Sequence, residues 1–181
     1  MKILIISGGN TSEREISLIS GRAVEKSLVE NGHQVEFFDL KESLNNLDKI
    51  IKNFDLIFPV IHGEEGEGGK LQKFLSKKGK PFVGGDWAGF KKGWYKIPFK
   101  KFCEIRKIKT AQWEAVKNGQ DIVNFGFPSV LKSSSGGSSK EVLILRSKKD
   151  LKSKNCQQLL KSNQEFFIEK FIEGLEVTVA V

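Results

Sequence analysis

The stretch VLKSSSGGSSKEVLIL places seven consecutive serine and glycine residues, 133–139, directly after Lys132. Small residues leave the backbone N–H groups free to turn towards phosphate oxygens, and hydroxyl groups such as that of Ser138 add further donors. The lysine adds a positive charge for the same anion. The stretch lacks the GxxxxGK[ST] pattern of a P-loop, and taken alone a loop of this composition is more often an exposed connector. A phosphate-binding loop and a plain hairpin therefore both stay open.

A second candidate is the segment QEFFIEKFIEGLEVTVAV near the end of the chain. The residues that follow its first strand, among them Glu169, Lys170 and Ile172, could present backbone groups to the edge of an adenine. Glu176 could then accept a hydrogen bond from a ribose. The alternative is a hairpin whose charged side chains point outwards.

Two further polar residues lie near predicted strand ends in the first half of the chain. Glu13, in NTSERE, lies at the first turn of a predicted helix, where a carboxylate gains from the helix dipole or binds a substrate ammonium. His62 directly precedes Gly63 at the end of a predicted strand. A structural hydrogen bond and a functional role are both open for this histidine.

Composition narrows the class of protein. The 181 residues are 39% hydrophobic and 29% charged, which is typical of a globular protein. The net charge of +8 comes mostly from lysines without a nucleic-acid-binding signature, so a solvated basic surface is favoured over a nucleic-acid-binding module. The two cysteines lack metal-site spacing. No apolar run is long enough for a membrane span or signal peptide, so we expect a cytoplasmic protein without membrane partners.

The first half alternates strand and helix patterns. KILIIS, QVEFFDL, DLIFPVI and PFVGG are predicted strands, with helices from about residue 16, over 43–52, and around Leu71. Ser12 and Glu15 have the spacing of a capping box for the first helix, Gly32 is expected to end it, and HGEEGEGG is predicted as a loop. This order favours a doubly wound parallel sheet, in which ligands bind beyond the carboxyl ends of the strands.

The second half has a different pattern. FPSVLK, VLILRS, QEFFIEKF and LEVTVAV are predicted strands, with a helix over 148–162 and helical turns over 90–108, where Pro98 fits only a first turn. We expect an α+β unit whose hairpin carries the serine- and glycine-rich loop, and we divide the chain into domains 1–90 and 91–181. Because the last strand pattern stops at Val181 without a turn, we expect a piece of a larger protein.

Four motifs, in this order, resemble those of the D-alanine–D-alanine ligases of the ATP-grasp superfamily. GGNTSEREISLISG is similar to G-G-x-S-x-E-R-x-[VI]-S-x-x-S-G, and HGEEGEGGKLQK to H-G-x-x-G-E-D-G-x-x-Q-G. VLKSSSGGSSKE is similar to the phosphate-grasping V-K-P-x-x-x-G-S-S-x-G, and EKFIEGLEVTV to the segment beside the adenine. The resemblance implies a Rossmann-like N-terminal domain followed by part of an ATP-grasp domain.

The resemblance also implies roles for individual residues. Glu13 would hold the first D-alanine together with Ser138, and His62 would lie beside the substrate. Lys96, Lys132 and Ser138 would bind the phosphates of ATP. The adenosine would be surrounded by a further set, Glu169, Lys170, Ile172 and Glu176. Family members activate one D-alanine as an acyl-phosphate, which the amine of the second attacks.

The magnesium ligands of the family would lie beyond Val181, so we expect the chain alone to be inactive. A homodimer through the N-terminal domain is also implied. The departures from the family pattern include Tyr95 for an aspartate, Ser133 for a proline and Glu141 for a glycine. They motivate the alternative of a degenerate or split ATP-grasp protein that binds nucleotide, or a complementary chain, without catalysis.

Overall fold

A computed structural model describes residues 1–41, 44, 46–137 and 141–179 of the chain. The chain divides into two compact units, Met1–Tyr95 and Lys96–Val181. Each unit has its own sheet and its own buried apolar cluster.

The first unit is a parallel sheet with helices. Its elements are β1 (Lys2–Gly8), α1 (Arg14–Glu30), β2 (Gln34–Leu40), α2 (Leu47–Ile50), a 3-10 turn (Ile51–Asn53), β3 (Leu56–Pro59), α3 (Glu64–Glu67), α4 (Lys70–Lys77) and α5 (Trp87–Trp94). The strand order is β2-β1-β3, with both neighbours parallel to β1. The central strand is buried from Ile3 to Gly8, as its continuous apolar run predicts, and the predicted parallel sheet is confirmed.

The start of α1 differs from the prediction. The helix begins at Arg14, and its N-cap residue Glu13 makes no side-chain capping bond, so the capping box from Ser12 to Glu15 is wrong. Thr11 closes the turn instead: its carbonyl accepts from Arg14 N at 3.1 Å, and its hydroxyl accepts from Glu13 N at 3.3 Å. Gly32 adopts a φ of +78° just after the C-cap and ends the helix where expected.

Two other expectations for the first unit are wrong. PFVGG forms a single parallel bridge, from Phe82 to Ile57, rather than a fourth strand. Pro81 has no N–H to donate to a ladder, and Gly84 turns the chain away at a φ of +132°. HGEEGEGG, predicted as a loop, contains the one-turn helix α3. Gly63 adopts a φ of +81°, and its carbonyl accepts from the backbone N–H groups of Gly66 and Glu67.

The second unit is an antiparallel sheet with helices. Its elements are α6 (Lys96–Ile105), β4 (Trp113–Val116), α7 (Gly119–Phe125), β5 (Ser129–Ser133), β6 (Val142–Leu145), a 3-10 turn (Lys148–Lys152), α8 (Lys154–Lys161) and β7 (Phe166–Lys170). The order is β4-β7-β5-β6. The predicted hairpin is confirmed as β5 and β6, and Pro98 lies in the first turn of α6.

The end of the second unit differs from the prediction. Over the described residues 175–179 no strand forms, and Leu175 and Val177 are 90% and 76% exposed. An extended segment becomes a strand only when a neighbour takes up its backbone hydrogen bonds, and no strand in the described part of this unit pairs with residues 175–179. The sequence analysis also missed β4 and α7, although Asn118 and Asp121 form a capping box at the start of α7.

Candidate functional site

A cavity of about 570 Å³ opens in the second unit, beside the serine- and glycine-rich hairpin. It lies among α6, the hairpin of β5 and β6, and β7. Its walls are formed by Lys96, Phe99, Lys100, Thr110, Ala111, Lys132, Ser133, Ser135, Gly136, Gly137, Glu141, Val142, Phe167 and Glu169. Three lysines and two glutamates thus share one cavity with a set of small hairpin residues and two phenylalanines.

Glu169 lies between two lysines on one wall of this cavity. On the antiparallel strands β5 and β7, Lys132 is paired with Phe167 and lies diagonally across from Glu169, on the same face of the sheet. Lys132 forms an ion pair with Glu169 Oε1, and Lys100 Nζ lies 2.6 Å from Glu169 Oε2. Each carboxylate oxygen therefore has its own ammonium partner.

The two lysines keep the carboxylate charged. Burial raises the pKa of Glu169, but the hydrogen bonds and positive charges of Lys100 and Lys132 outweigh burial and bring this pKa below its ordinary value of 4.5. Glu169 is only 8% exposed, so little water screens these interactions. The cluster is a buried ionic network at neutral pH.

Lys96 contacts the hairpin loop directly. Its Nζ donates to the carbonyl of Gly136 at 2.6 Å, and its backbone N–H donates to the carbonyl of Ser134 at 2.7 Å. Burial lowers the pKa of the Lys96 ammonium; Glu141 opposes this change, and the charge of Lys132 adds to it. Since the charge of Lys132 disfavours a second positive charge on Lys96, an anion placed beside both side chains would be stabilised there.

The hairpin loop needs glycine where it approaches the cavity. Gly136 has a φ of +114°, and a Cβ there would lie 2.7 Å from Glu141 Oε2. The Ser133 hydroxyl donates to the carbonyl of Ser135, and the Ser134 N–H donates to the carbonyl of Glu165 at 2.7 Å. Ser138, a predicted ligand of both ATP and substrate, lies outside the described residues, and its role stays a prediction.

The remaining predicted adenosine residues do not line this cavity. Lys170 is the last residue of β7; its side chain is exposed, and its backbone N–H donates to the carbonyl of Gln112 at 2.9 Å. Ile172 is 66% exposed, and Glu176 is also exposed. The structure thus places Glu169 in the cavity without Lys170, Ile172 or Glu176, whose contacts with adenosine stay predictions.

Glu13 and His62 lie near one another at the carboxyl edge of the parallel sheet in the first unit. A Cβ at Gly63 would lie 3.1 Å from Glu13 Oε2, so the carboxylate lies against the residue that follows His62. The Thr11 hydroxyl donates to the carbonyl of His62 at 3.3 Å, and His62 Nδ1 lies 3.5 Å from Glu67 Oε1. The structure brings these two residues together, and their substrate contacts stay predictions.

The same unit contains a second cavity, of about 430 Å³. Its lining consists of Thr11, Glu64, Glu65, Gly68, Gly69, Lys70, Lys73, Trp87, Lys91 and Tyr95. Tyr95 donates its hydroxyl to Glu64 Oε1 at 2.6 Å. This hydrogen bond is the largest cause of a raised pKa of Tyr95, and burial adds to it.

Lys100 is the residue that the sequence analysis missed. It follows Lys96 by four residues on α6, and side chains at this spacing lie on the same helix face. That spacing was the available signal. The ion pair of Lys100 with Glu169 depends on the register of β7, so it could not be identified from local sequence.

Across residues 1–41, 44, 46–137 and 141–179, no group of three histidine, cysteine, aspartate or glutamate side chains is placed to hold a metal ion. No helix in the described part of the chain is sufficiently long and apolar to cross a membrane.

The comparisons with known proteins agree on one family. The family model described as D-ala D-ala ligase C-terminus matches residues 94–181. The D-alanine–D-alanine ligase of Aquifex aeolicus is 35% identical over 184 residues, which cover 100% of this chain and 62% of that protein. The D-alanine–D-alanine ligase of Clostridium beijerinckii is also 35% identical, over 190 residues that cover 100% of this chain and 61% of that protein.

Solved structures agree with these relatives. The crystal structure of D-alanine–D-alanine ligase from Bacillus anthracis matches with a TM-score of 0.85 and 30% identity, over 96% of this chain and 58% of that one. The structure of the same ligase complexed with ATP matches with a TM-score of 0.82 and 29% identity, over 96% of this chain and 60% of that one. The chain spans about three-fifths of the length of the curated relatives it matches, 62% and 61% for the two named above. Since the similarity runs through all of this chain, it belongs to the D-alanine–D-alanine ligase family.

Proposed function

We propose that this chain forms the nucleotide-binding part of an ATP-dependent carboxylate–amine ligase that joins two molecules of D-alanine for peptidoglycan precursors. The observation that carries the proposal is the cavity of the second unit, which Lys96 and Lys132 line together with serine and glycine residues of the hairpin. The reaction would take place in the cytoplasm, where ATP is present. Residues 1–90 would act as the substrate-side domain and residues 91–181 as part of the ATP-grasp domain.

The residues of the cavity fit a polyphosphate. Bound ATP would supply the phosphoryl group that activates the carboxylate of the first D-alanine. Lys96 and Lys132 would each stabilise negative charge on the phosphates, in a cavity where burial strengthens every charge–charge interaction. The hairpin would exclude water from the transferred group, because its small side chains let the backbone approach closely. Glu13 and His62 would orient the first D-alanine.

The described residues do not fit a magnesium site. Magnesium prefers a shell of oxygen ligands that usually includes carboxylates, and the acidic residues that line the cavity, Glu141 and Glu169, contact Gln164 and two lysines. We therefore propose that these residues bind nucleotide and that dipeptide formation needs residues besides them.

The test is calorimetric titration with ATP and magnesium. Wild-type chain should bind saturably, and Lys132→Ala should weaken binding by about tenfold or more, the loss of one charge-assisted contact of ~1.5–3 kcal/mol. Lys101→Ala is the matched control, because Lys101 is exposed on α6 and does not line the cavity. Equal affinities for wild type and Lys132→Ala would refute the proposal. If the wild-type chain released phosphate in a D-alanine-dependent reaction well above the level of Lys132→Ala, dipeptide formation would need no further residues, and that part of the proposal would be refuted.

A second candidate is a degenerate or split ATP-grasp protein that binds nucleotide or a complementary chain without catalysis. Glu141 favours it, because a carboxylate in the lining repels phosphate. Nucleotide binding by the chain, followed by ligase activity when a chain with the remaining family residues is added, would favour the split enzyme. Binding without activity in any such mixture would favour the degenerate protein.

A homodimer through the first unit is the remaining part of the proposal. Ile16 and Ile19 on α1 are 58% and 66% exposed, which supports an apolar contact surface on this helix. Light scattering on the purified chain measures its mass directly. A monomer at high concentration would refute this part.

A further inference from the structure

Lys100 and Lys132 hold the same carboxylate in different ways. The Lys100 side chain is 10% exposed, and its ammonium lies 2.6 Å from Glu169 Oε2, 2.6 Å from Thr110 Oγ1 and 3.4 Å from the carbonyl of Ala111. An ammonium has three N–H donors, and these three acceptors occupy all of them. Lys100 has no donor left for a ligand, although it lines the cavity.

Lys132 is the more available lysine. Its side chain is 29% exposed, and within the described residues Glu169 Oε1 is its hydrogen-bonding partner. Two of its three donors can therefore reach into the cavity. A polyanion that enters the cavity would compete with Glu169 for this ammonium.

The movement of Lys132 would be costly without a second partner for Glu169. Removing one member of a buried ion pair leaves an uncompensated charge, which strongly destabilises the protein. Because Oε2 keeps its hydrogen bond from Lys100, Glu169 stays paired when Oε1 loses Lys132. The contact of Oε2 with Lys100 is therefore permanent, whereas the contact of Oε1 with Lys132 can be exchanged for a ligand.

We propose that Lys100 is a positioning residue that keeps Glu169 paired, so that Lys132 can move from Glu169 to a phosphate ligand. This inference rests on the proposed function, because it takes phosphate binding at Lys132 as given. Lys100 acts through Glu169 and touches no ligand. Without Lys100, Lys132 becomes the last counter-charge of a buried carboxylate and is withheld from the ligand.

The first experiment is a double-mutant cycle on ligand affinity. ATP with magnesium, and separately inorganic triphosphate, are titrated into wild type, Lys100→Met, Glu169→Gln and the double variant. Lys100→Met should weaken binding about tenfold in the wild-type background and less than about twofold in the Glu169→Gln background, a coupling of the size found for contacting residues. Lys101→Met, the exposed neighbour, should leave the affinity unchanged.

The outcomes separate the alternatives. An equal loss in both backgrounds would mean that Lys100 contacts the ligand or that the fold is damaged, and it would overturn the inference. No loss from Lys100→Met would overturn it as well. If the variants change the affinity for triphosphate in the same way as the affinity for ATP, phosphate is the group to which Lys132 moves.

A second experiment needs no ligand. In urea unfolding, Lys100→Met should lower the midpoint more than Lys132→Met, because Lys100 is more buried and makes three contacts. Both substitutions should lower the urea midpoint by less in the Glu169→Gln background. A larger effect from Lys132→Met would make Lys132 the permanent partner and overturn the inference. If wild type binds neither ATP nor triphosphate, the proposed function fails and so does the mobile role of Lys132, while the order of midpoints still decides whether Lys100 is the permanent partner.

Discussion

Replacing Glu169 by glutamine removes one charge from a buried network and leaves the shape of the side chain unchanged. The carboxylate is 8% exposed and pairs with two lysines. Breaking a buried pair by removing one charge costs about 3–5 kcal/mol. The amide keeps some hydrogen bonding, and the 29% exposed side chain of Lys132 regains water, so we expect a loss of about 2–4 kcal/mol in the free energy of unfolding at neutral pH.

The loss should depend on pH in a direction fixed by the lowered pKa of Glu169. A carboxyl group with a folded pKa below its unfolded value contributes stability that is fully present above the unfolded value, here about 4.5. This contribution disappears as the pH falls through the folded pKa. The stabilities of wild type and Glu169→Gln should therefore converge in acid and be furthest apart near neutral pH.

Urea unfolding followed by the fluorescence of Trp113 measures this effect. The three tryptophans are Trp87, Trp94 and Trp113, and only the last lies in the second unit, 6.1 Å from the Phe167 ring. A background with the other two replaced by phenylalanine reports the second unit alone. We expect the midpoint to fall by about 1–2 M. Glu173→Gln, an exposed position just beyond β7, is the matched control. A pH-independent difference, or none at neutral pH, would refute the reasoning.

Two other predictions concern the first unit. Tyr95 is the single tyrosine, so ultraviolet titration should show a pKa above 10.0 that returns towards this value in Glu64→Gln; an unchanged titration would refute the hydrogen bond as its cause. Gly21→Ala in α1 should destabilise by ~1–3 kcal/mol in thermal unfolding, because its Cβ would meet atoms of Ser7 and Phe37 at 2.7–2.9 Å. Gly93→Ala in α5, with nothing within 4 Å, should instead stabilise by up to ~1 kcal/mol, and equal effects would contradict the packing argument.

The parallel sheet could be predicted because its signal is local and strong. The run from Ile3 to Ile6 is apolar at every position, which requires burial on both faces, and all four side chains are at most 2% exposed. The end of α1 at Gly32 could be predicted equally well, since glycine tolerates the left-handed conformation that ends a helix. By contrast, the exact first residue of α1 was decided by Thr11, whose spacing differs by one residue from the capping box that the sequence suggested.

The network around Glu169 shows what sequence alone could not provide. Resemblance led to Glu169 and Lys132 as separate ligands of adenosine and phosphate. Their contact depends on which residues of β5 and β7 are opposite each other, and this register is set by the whole antiparallel sheet. Lys100 adds a contact from a helix about seventy residues earlier in the chain. A residue's type gives its chemistry, but such a pairing is fixed only by tertiary packing.

Glu141 shows how a departure from a family pattern acquires a physical meaning from its surroundings. On charge alone, a carboxylate where the resembling motif has glycine weakens an anion site. In this structure Glu141 Oε1 accepts from Gln164 at 2.9 Å, and its charge opposes the loss of a proton from the partly buried Lys96. The same carboxylate therefore repels a phosphate and helps to keep one of its two lysines charged. Among the described residues that line the cavity Lys100 is fully engaged, so an anion there would rest on the charges of Lys96 and Lys132. The balance between these two effects of Glu141 determines whether the cavity still binds one.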